Sequence, residues 1–491
     1  MISSIAQWHQ VNSFAALPPD FYSRVRPQPL SDPQLLHVNT DVAALLDLSP
    51  QALHDPLFLR VFSGQEPLPG SEPLAAVYSG HQFGVWAGQL GDGRAHLLAE
   101  VTTSTGNHEL QLKGSGMTPY SRMADGRAVV RSSVREYLAG EAMAGLGIPT
   151  TRALSLVVSN DPVYRETVET AAIITRVAPS FVRFGSFEHW HKAPRQLQWL
   201  TDYVIHRFYP ECLDTTAGLP GAGKAYIVNW LAQVVKRTAQ LIAHWQTAGF
   251  CHGVMNTDNM SILGLTLDYG PYGFIDAFQA DHVCNHSDTR GRYAWNAQPA
   301  VAQWNLHRLA SVFTTLDIPV EALQEALSGF EAAFLETYRG SMARKLGLRA
   351  WQPGDDDLYD GWWGLLHEQA ADFTLAFRRL AQVPEQPDTF LALFPDHEPV
   401  HDWLDGYLQR TAHDNLPAAE RVERMNGANP LYVLRNHLAQ NAIQAAEQGN
   451  GSEIDTLLRL LRNPFTETDG HSAYAEPPPA GSRPVAVSCS S

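Results

Sequence analysis

Between residues 225 and 248 apolar side chains recur at helical spacing: Ile227, Trp230, Leu231, Val234, Leu241, Ile242 and Trp245. Gly249 then supplies a helix stop. The same period recurs over 300–314, 319–346 and 415–447, with Pro- and Asp-rich loops at 352–359 and 384–400. From Gln196 onward the chain therefore reads as largely helical. Upstream the period changes to two. Phe83–Gly88, Ala95–Val101 and His108–Lys113 read as strands, the first two forming a hairpin around the glycine-rich turn 89–94. Thr151–Ser159 and Ala171–Val177 read as two more strands, and a helix is predicted over Arg127–Leu146, opened by Asp125-Gly126. Residues 1–75 are Pro-rich with short helical patterns such as Asp41–Leu46, and read as an extension wrapped on the body. Ile262-Leu263 and Leu265–Leu267, bent at Gly264, read as a further hairpin. Residues 466–491, with Pro477-Pro-Pro479, read as an irregular, mobile tail.

The domain expectation is thus 1–75 extension, 76–195 sheet-rich lobe, 196–465 helical lobe and 466–491 tail. A chain of 491 residues with 44% hydrophobic residues, 12 Trp and 20 Phe is long enough for two packed lobes. Its 35 basic against 51 acidic residues give a net charge of −16, which argues against a nucleic-acid or membrane-surface binder. An anion site must then be built from a local arginine cluster within an acidic whole. Cys212, Cys251, Cys284 and Cys489 are scattered without a CxxC pair, so a structural zinc site is not expected. The absence of a long apolar run or a basic-then-apolar leader gives the expectation of a soluble, cytoplasmic protein; a monomer is expected as well.

The polar segment 250–270 holds His252, Asn256, Asp258, Asn259 and Asp268 within a short span. Asn259 and Asp268 are oxygen ligands suited to a hard divalent ion on nucleotide phosphates, and Asp258 is a carboxylate within reach of an incoming hydroxyl. Helix, polar loop and Asp-aromatic-Gly follow the order used by protein kinases for the catalytic loop and metal-binding Asp. The glycine-rich turn followed by a strand ending in Lys113 matches the nucleotide-covering half of that layout. Glu136 and Glu141 are the candidate partners of Lys113. Glu136 is preferred because it shares a face with Ser132, Ser133 and Gly140. Arg176 and Arg183 at strand ends suit phosphate, since a guanidinium fork contacts two oxygens. Arg127, Arg131 and Arg135 fall at four-residue spacing and form one stripe that reads mostly as a solvated helix face. One departure matters: the position of the kinase catalytic Asp holds Val254, which cannot accept a proton. Taken singly, Gly91-Asp-Gly93 is an ordinary turn, Lys113 a solvated lysine and the Asn/Asp cluster a good loop. Only their combination points to a nucleotide site.

The runs Tyr78–Arg94, Lys113–Arg122 and His252–Ser261, together with the terminal Cys-Ser-Ser, resemble the selenoprotein O (YdiU) family. This resemblance covers nearly the whole chain. It implies a protein-kinase-like two-lobed α+β fold with an N-terminal extension and an enlarged helical lobe. It also implies an enzyme that binds ATP in inverted orientation and transfers AMP to Ser, Thr or Tyr hydroxyls of proteins. By position, Gly91, Gly93, Arg94, Lys113, Asp125, Gly126, Arg176 and Arg183 would hold the nucleotide and Glu136 would pair with Lys113. Asn259 and Asp268 would bind Mg2+ or Mn2+, and Asp258 would accept the proton. UTP as co-substrate, a conventional kinase with Asp258 as base, and a nucleotide-binding pseudokinase remain open alternatives. Cys284 and Cys489 are a candidate redox disulfide tying the tail over the site. Cys489 stands where eukaryotic relatives carry selenocysteine, so selenium chemistry is not expected.

Overall fold

The structure is a computed structural model and describes residues 1–214, 224–479, 481–483 and 485–488. Its centre is a ten-stranded antiparallel sheet. The strands are β1 (His9–Gln10), β2 (Tyr22–Arg24), β3 (Gln34–Val38), β4 (Leu74–Gln82), β5 (Val85–Gly91), β6 (Ala95–Thr103), β7 (Gly106–Lys113), β8 (Ala128–Val129), β9 (Arg152–Tyr164) and β10 (Val168–Ala178). Their spatial order is β2-β4-β6-β7-β10-β9-β3, with β1 on β6, β5 on β4 and β8 on β10.

Side-chain alternation along these strands decides where the chemistry sits. Leu110 and Leu112 of β7, with Ala171, Ile173 and Val177 of β10, face one core. That core is completed by Ile5, Trp8, Val42, Phe58 and Phe62 from residues 1–75. The intervening residues face the other way. Ala172 and Ile174 pack with Val134, Tyr137 and Leu138 of the Val130–Gly145 helix. Gln111, Lys113 and Arg176 share that parity, and the register pairs Ile174 with Lys113 and Arg176 with Gln111. Two strands that bury leucines and isoleucines on one face thus deliver two cations side by side on the other.

Helices dominate the rest of the chain. Ala225–Ala248 ends at Gly249 in the left-handed conformation (φ 68°), as its periodicity predicts. Gln298–Val312 and Val320–Lys345 lie within two residues of their predicted ranges. The 415–447 pattern is instead two helices, Ala418–Ala428 and Asn436–Glu447. Buried Arg435 lies between them, donating to Asp372 and Asp276. Among the described residues no helix is long and apolar enough to cross a membrane.

Three local expectations are corrected. The hairpin is formed by β4 and β5, not by β5 and β6. Its turn is Phe83-Gly84, both at positive φ (50° and 81°), a conformation that a phenylalanine does not advertise. The segment 262–267 makes no hairpin. Ser261 bridges to Arg183 and Thr266 to Thr150, with only the bend at Gly264 as expected. The helix predicted from Arg127 starts at Val130, because Ala128-Val129 pairs with β10 first. Described parts of the tail dock on the body: Arg435 donates to the Ala475 carbonyl at 3.1 Å, and Val487 bridges Asn285.

Candidate active site

The segment 250–270 lies against the sheet face that carries Lys113 and Arg176. Phe250-Cys251 forms a short ladder with Gly273-Phe274, which fixes both ends of the segment. His252 is buried and structural. Its Nε2–H donates to the Leu267 carbonyl (3.0 Å), its Nδ1 accepts from the Val254 N–H (3.4 Å), and its ring stacks on Trp245. Residues Thr257–Asn259 form one 3-10 turn that presents Asp258 and Asn259. Gly185 makes this possible, since a Cβ there would sit 2.1 Å from the Ser79 carbonyl and 3.2 Å from the Asp258 Cα.

A cleft of about 690 Å³ opens between the turn and the sheet. Gly91, Gly93, Arg94, Lys113, Asp125, Gly126, Arg176, Arg183, Asp258, Asn259 and Asp268 all line it, and so does Val254. Eleven residues chosen from separate stretches thus converge on one cavity. Glu136 stands just behind them. Its carboxylate accepts from Lys113 Nζ at 2.5 Å and lies 2.7 Å from Arg176 Nε. Glu141, the other candidate, is committed to Arg152 and Arg462. Asp268, at φ 58°, pairs through Oδ1 with Arg176 (2.9 Å) and through Oδ2 with Arg183. The result is a chain of alternating charges, Lys113–Glu136–Arg176–Asp268–Arg183, running along the cleft wall.

Burial and charge oppose each other along this wall. Burial would raise the Asp268 pKa, but Arg183, Arg176 and Lys113 prevail and hold its carboxyl well below the usual range. Lys113 is pushed down to about 8 by burial, with Glu136 working against the shift. Asp258 is pushed up to about 6 by burial, against a hydrogen bond from Gln82 and the charge of Arg183. Arg94 lines the cleft without an ion pair to any described residue.

Other placements differ from the sequence reading. The Arg127, Arg131 and Arg135 stripe is not a shared solvated face. Arg127 donates to the Gln28 and Pro29 carbonyls and Arg131 pairs with Glu169. Arg135 is buried on the Tyr272 ring and donates to the Tyr272 carbonyl. Asp125 pairs with Arg165 at 2.7 Å, and Gly126 (φ 70°) passes so close to Gly116 that a Cβ would lie 2.2 Å from its backbone. Cys489 lies outside the described residues. Cys284 Sγ instead sits 3.2 Å from Cys251 Sγ. Sequence reasoning passed over Gly80 and Gln82 of β4 and Gly185 and Glu188 of the short helix Phe184–Glu188, which together shape the Asp258 turn. The run Gly80-His-Gln-Phe83 carries no charge pattern that marks it.

Two oxygen donors for a hard cation are present. Asn259 spends its amide N–H on the Val254 carbonyl (3.0 Å), which turns its oxygen away from that contact, and Asp268 is kept ionised. Asn259 and Asp268 are the residues that could hold Mg2+ or Mn2+ here, with both Asp268 oxygens also engaged by Arg176 and Arg183. Among the described residues no cluster of three or more His, Cys, Asp or Glu side chains offers another metal centre.

The family model described as protein adenylyltransferase SelO matches residues 5–462. The chain belongs to the SelO family. A relative from Bordetella petrii, named protein nucleotidyltransferase YdiU, is 59% identical over 100% of this chain and 99% of its own length. Relatives with the same name from Bordetella parapertussis (60% identical, 98% of each chain) and Dechloromonas aromatica (50%, 98% of this chain and 97% of its own) agree. This SelO chain is accordingly a nucleotidyltransferase, and the cleft is its candidate active site.

Proposed function

We propose that the protein is a protein adenylyltransferase that moves AMP from ATP to a Ser, Thr or Tyr hydroxyl of a polypeptide and releases pyrophosphate. The observation that carries this reading is the convergence of Lys113, Arg94, Arg176 and Arg183 on one cleft wall, facing Asp258 with Val254 at the kinase base position. Four cations interleaved with only two carboxylates, Glu136 and Asp268, leave this wall positive within a chain of net charge −16, which favours a polyanion lying deep against the sheet. A nucleotide bound with its terminal phosphates there keeps its α-phosphate toward Asp258, the inverted orientation. The acceptor oxygen then attacks the α-phosphorus, its bond to the β-phosphate oxygen breaks, and Asp258 takes the hydroxyl proton. Lys113, Arg94 and the two arginines of the wall stabilise the charge that develops on the leaving pyrophosphate. Gly91 and Gly93 let the backbone approach, because a Cβ at either would strike Tyr120, at 2.5 and 2.9 Å. A Mg2+ or Mn2+ ion held by Asn259 and Asp268 supplies Lewis-acid stabilisation of phosphate oxygens when bound.

UMP transfer from UTP uses the same wall and is the second reading, since no feature of the cleft described above selects the base. Intact-mass spectrometry of an acceptor protein after incubation with each nucleotide and each metal tests the proposal. Addition of AMP supports it, addition of UMP alone redirects it to UTP, and addition of a bare phosphate refutes it in favour of a kinase.

A further inference from the structure

Three successive residues at the tip of β4 reach across to three successive residues of the Asp258 turn. The His81 N–H donates to Thr257 Oγ1 at 2.7 Å, and the Phe83 N–H donates to Asn256 Oδ1 at 3.1 Å. Between them the Gln82 side chain donates from Nε2 to Asp258 Oδ2 at 3.1 Å. The two outer contacts are independently braced. Thr257 Oγ1 donates to buried Glu188, whose other oxygen lies 2.7 Å from His81 Nδ1, and the Tyr293 hydroxyl joins Phe83 N–H and Asn256 Oδ1. The strand tip therefore stays on the turn without help from the Gln82 side chain.

The two oxygens of Asp258 are not equivalent. Oδ1 is buried with no hydrogen-bond partner and is walled off by Gly80, where a Cβ would lie 2.8 Å away. Oδ2 accepts from Gln82, and both Gln82 and Asp258 line the cleft. A carboxylate oxygen has two lone-pair directions. With one taken by the amide and Oδ1 closed, the second direction of Oδ2 is the one left for an acceptor hydroxyl.

We propose that Gln82 is a positioning residue that fixes the Asp258 carboxylate rotamer, so that Oδ2 meets the acceptor hydroxyl along a single direction. The proposal rests on the reading of Asp258 as proton acceptor. Gln82 belongs to the sheet and Asp258 to the helical part of the chain, so the amide makes alignment of the base depend on the sheet being seated on the turn. A carboxylate free to rotate loses the near-attack alignment of its proton transfer, which costs about 10- to 100-fold in rate.

The test is a double-mutant cycle on the full-length protein. It uses ATP labelled on the α-phosphate, a generic acceptor protein and single turnover with enzyme in excess, so that large losses stay measurable. Gln82→Leu removes the donor and keeps the bulk; Gln82→Met removes it while keeping an unbranched side chain of similar length. Both are expected to slow transfer about 10- to 100-fold while the Kd for ATP and the melting temperature hold. In an Asp258→Asn background, Gln82→Leu is expected to cost no more than about twofold, since its effect passes through a carboxylate already gone. Two results would overturn the proposal: unchanged transfer in Gln82→Leu, or the same proportional loss with and without Asp258. Full transfer in Asp258→Asn alone is a separate outcome, which removes the proton-acceptor reading and the proposal with it.

Discussion

Glu136→Gln changes one charge in a buried row of five and tests the electrostatic reading of the cleft wall. Glu136 contacts Lys113 at 2.5 Å and Arg176 at 2.7 Å, with side-chain exposures of 4% for the glutamate, 8% for the lysine and 5% for the arginine. Neutralising it takes from Lys113 its ion-pair partner among the described residues and leaves Arg176 only Asp268, which Arg183 already engages. Breaking a buried pair in this way costs about 3–5 kcal/mol. A cooperative unit of 491 residues loses roughly 1 kcal/mol per degree near its midpoint, so the melting temperature should fall by about 3–5 °C. Lys113→Met should cost less, because Glu136 then keeps Arg176 as its counter-charge. The double variant should recover part of the Glu136→Gln loss, because one uncompensated cation has gone. Differential scanning fluorimetry on the four proteins reads all of this. A Glu136→Gln melting point within about 1 °C of wild type, or a larger drop for Lys113→Met, would refute the reasoning.

The remaining predictions concern separate parts of the molecule. Lys345 is buried, lies 4.1 Å from the centre of the Phe377 ring, and is pushed down by burial from its ordinary 10.5 to about 7. Between those pH values the unfolded chain binds the proton and the folded one does not, so stability should rise with pH across that window. Lys345→Met should therefore stabilise the protein by about 1–4 kcal/mol at pH 7, and the gain should shrink toward pH 10; a destabilised variant in a pH-resolved melt contradicts this. Gly185→Ala should lower transfer at least about tenfold with the fold retained by circular dichroism, because its Cβ would strike the Ser79 carbonyl on one side and crowd the Asp258 backbone on the other. Chelation should abolish transfer, and Mg2+ or Mn2+ should restore it. Asn259→Ala should raise the metal concentration needed for half-maximal rate, and an unchanged metal titration would remove Asn259 from the ligand set.

Much of the site was legible because its members carry chemistry that their own short runs announce. Lys113 ends an alternating strand, Asp258, Asn259 and Asp268 crowd one polar loop, and all line the same cleft. Glu136 over Glu141 followed from helical facing, and the rival proved to be committed to Arg152 and Arg462. Other features depend on distant partners that no local pattern encodes. The true hairpin turns on Phe83 at positive φ, a conformation held by Asn256 and Tyr293 some 170 to 210 positions away. Arg135 looked like part of a surface stripe because its partner, the Tyr272 carbonyl, belongs to the loop after Asp268. Gln82, Gly80 and Gly185 matter only because the Asp258 turn presses on them. A glycine required for close approach has the same letter as one that merely ends a strand.

The central claim is that the cations of the cleft hold the terminal phosphates, so that the α-phosphate is the group transferred. Incubating the purified protein and an acceptor with ATP labelled on either the α- or the γ-phosphate tests it directly. Acid-stable label on protein from the α position, with none from the γ position, is the expected result. Label from the γ position alone would contradict the inverted arrangement and make this cleft that of a kinase.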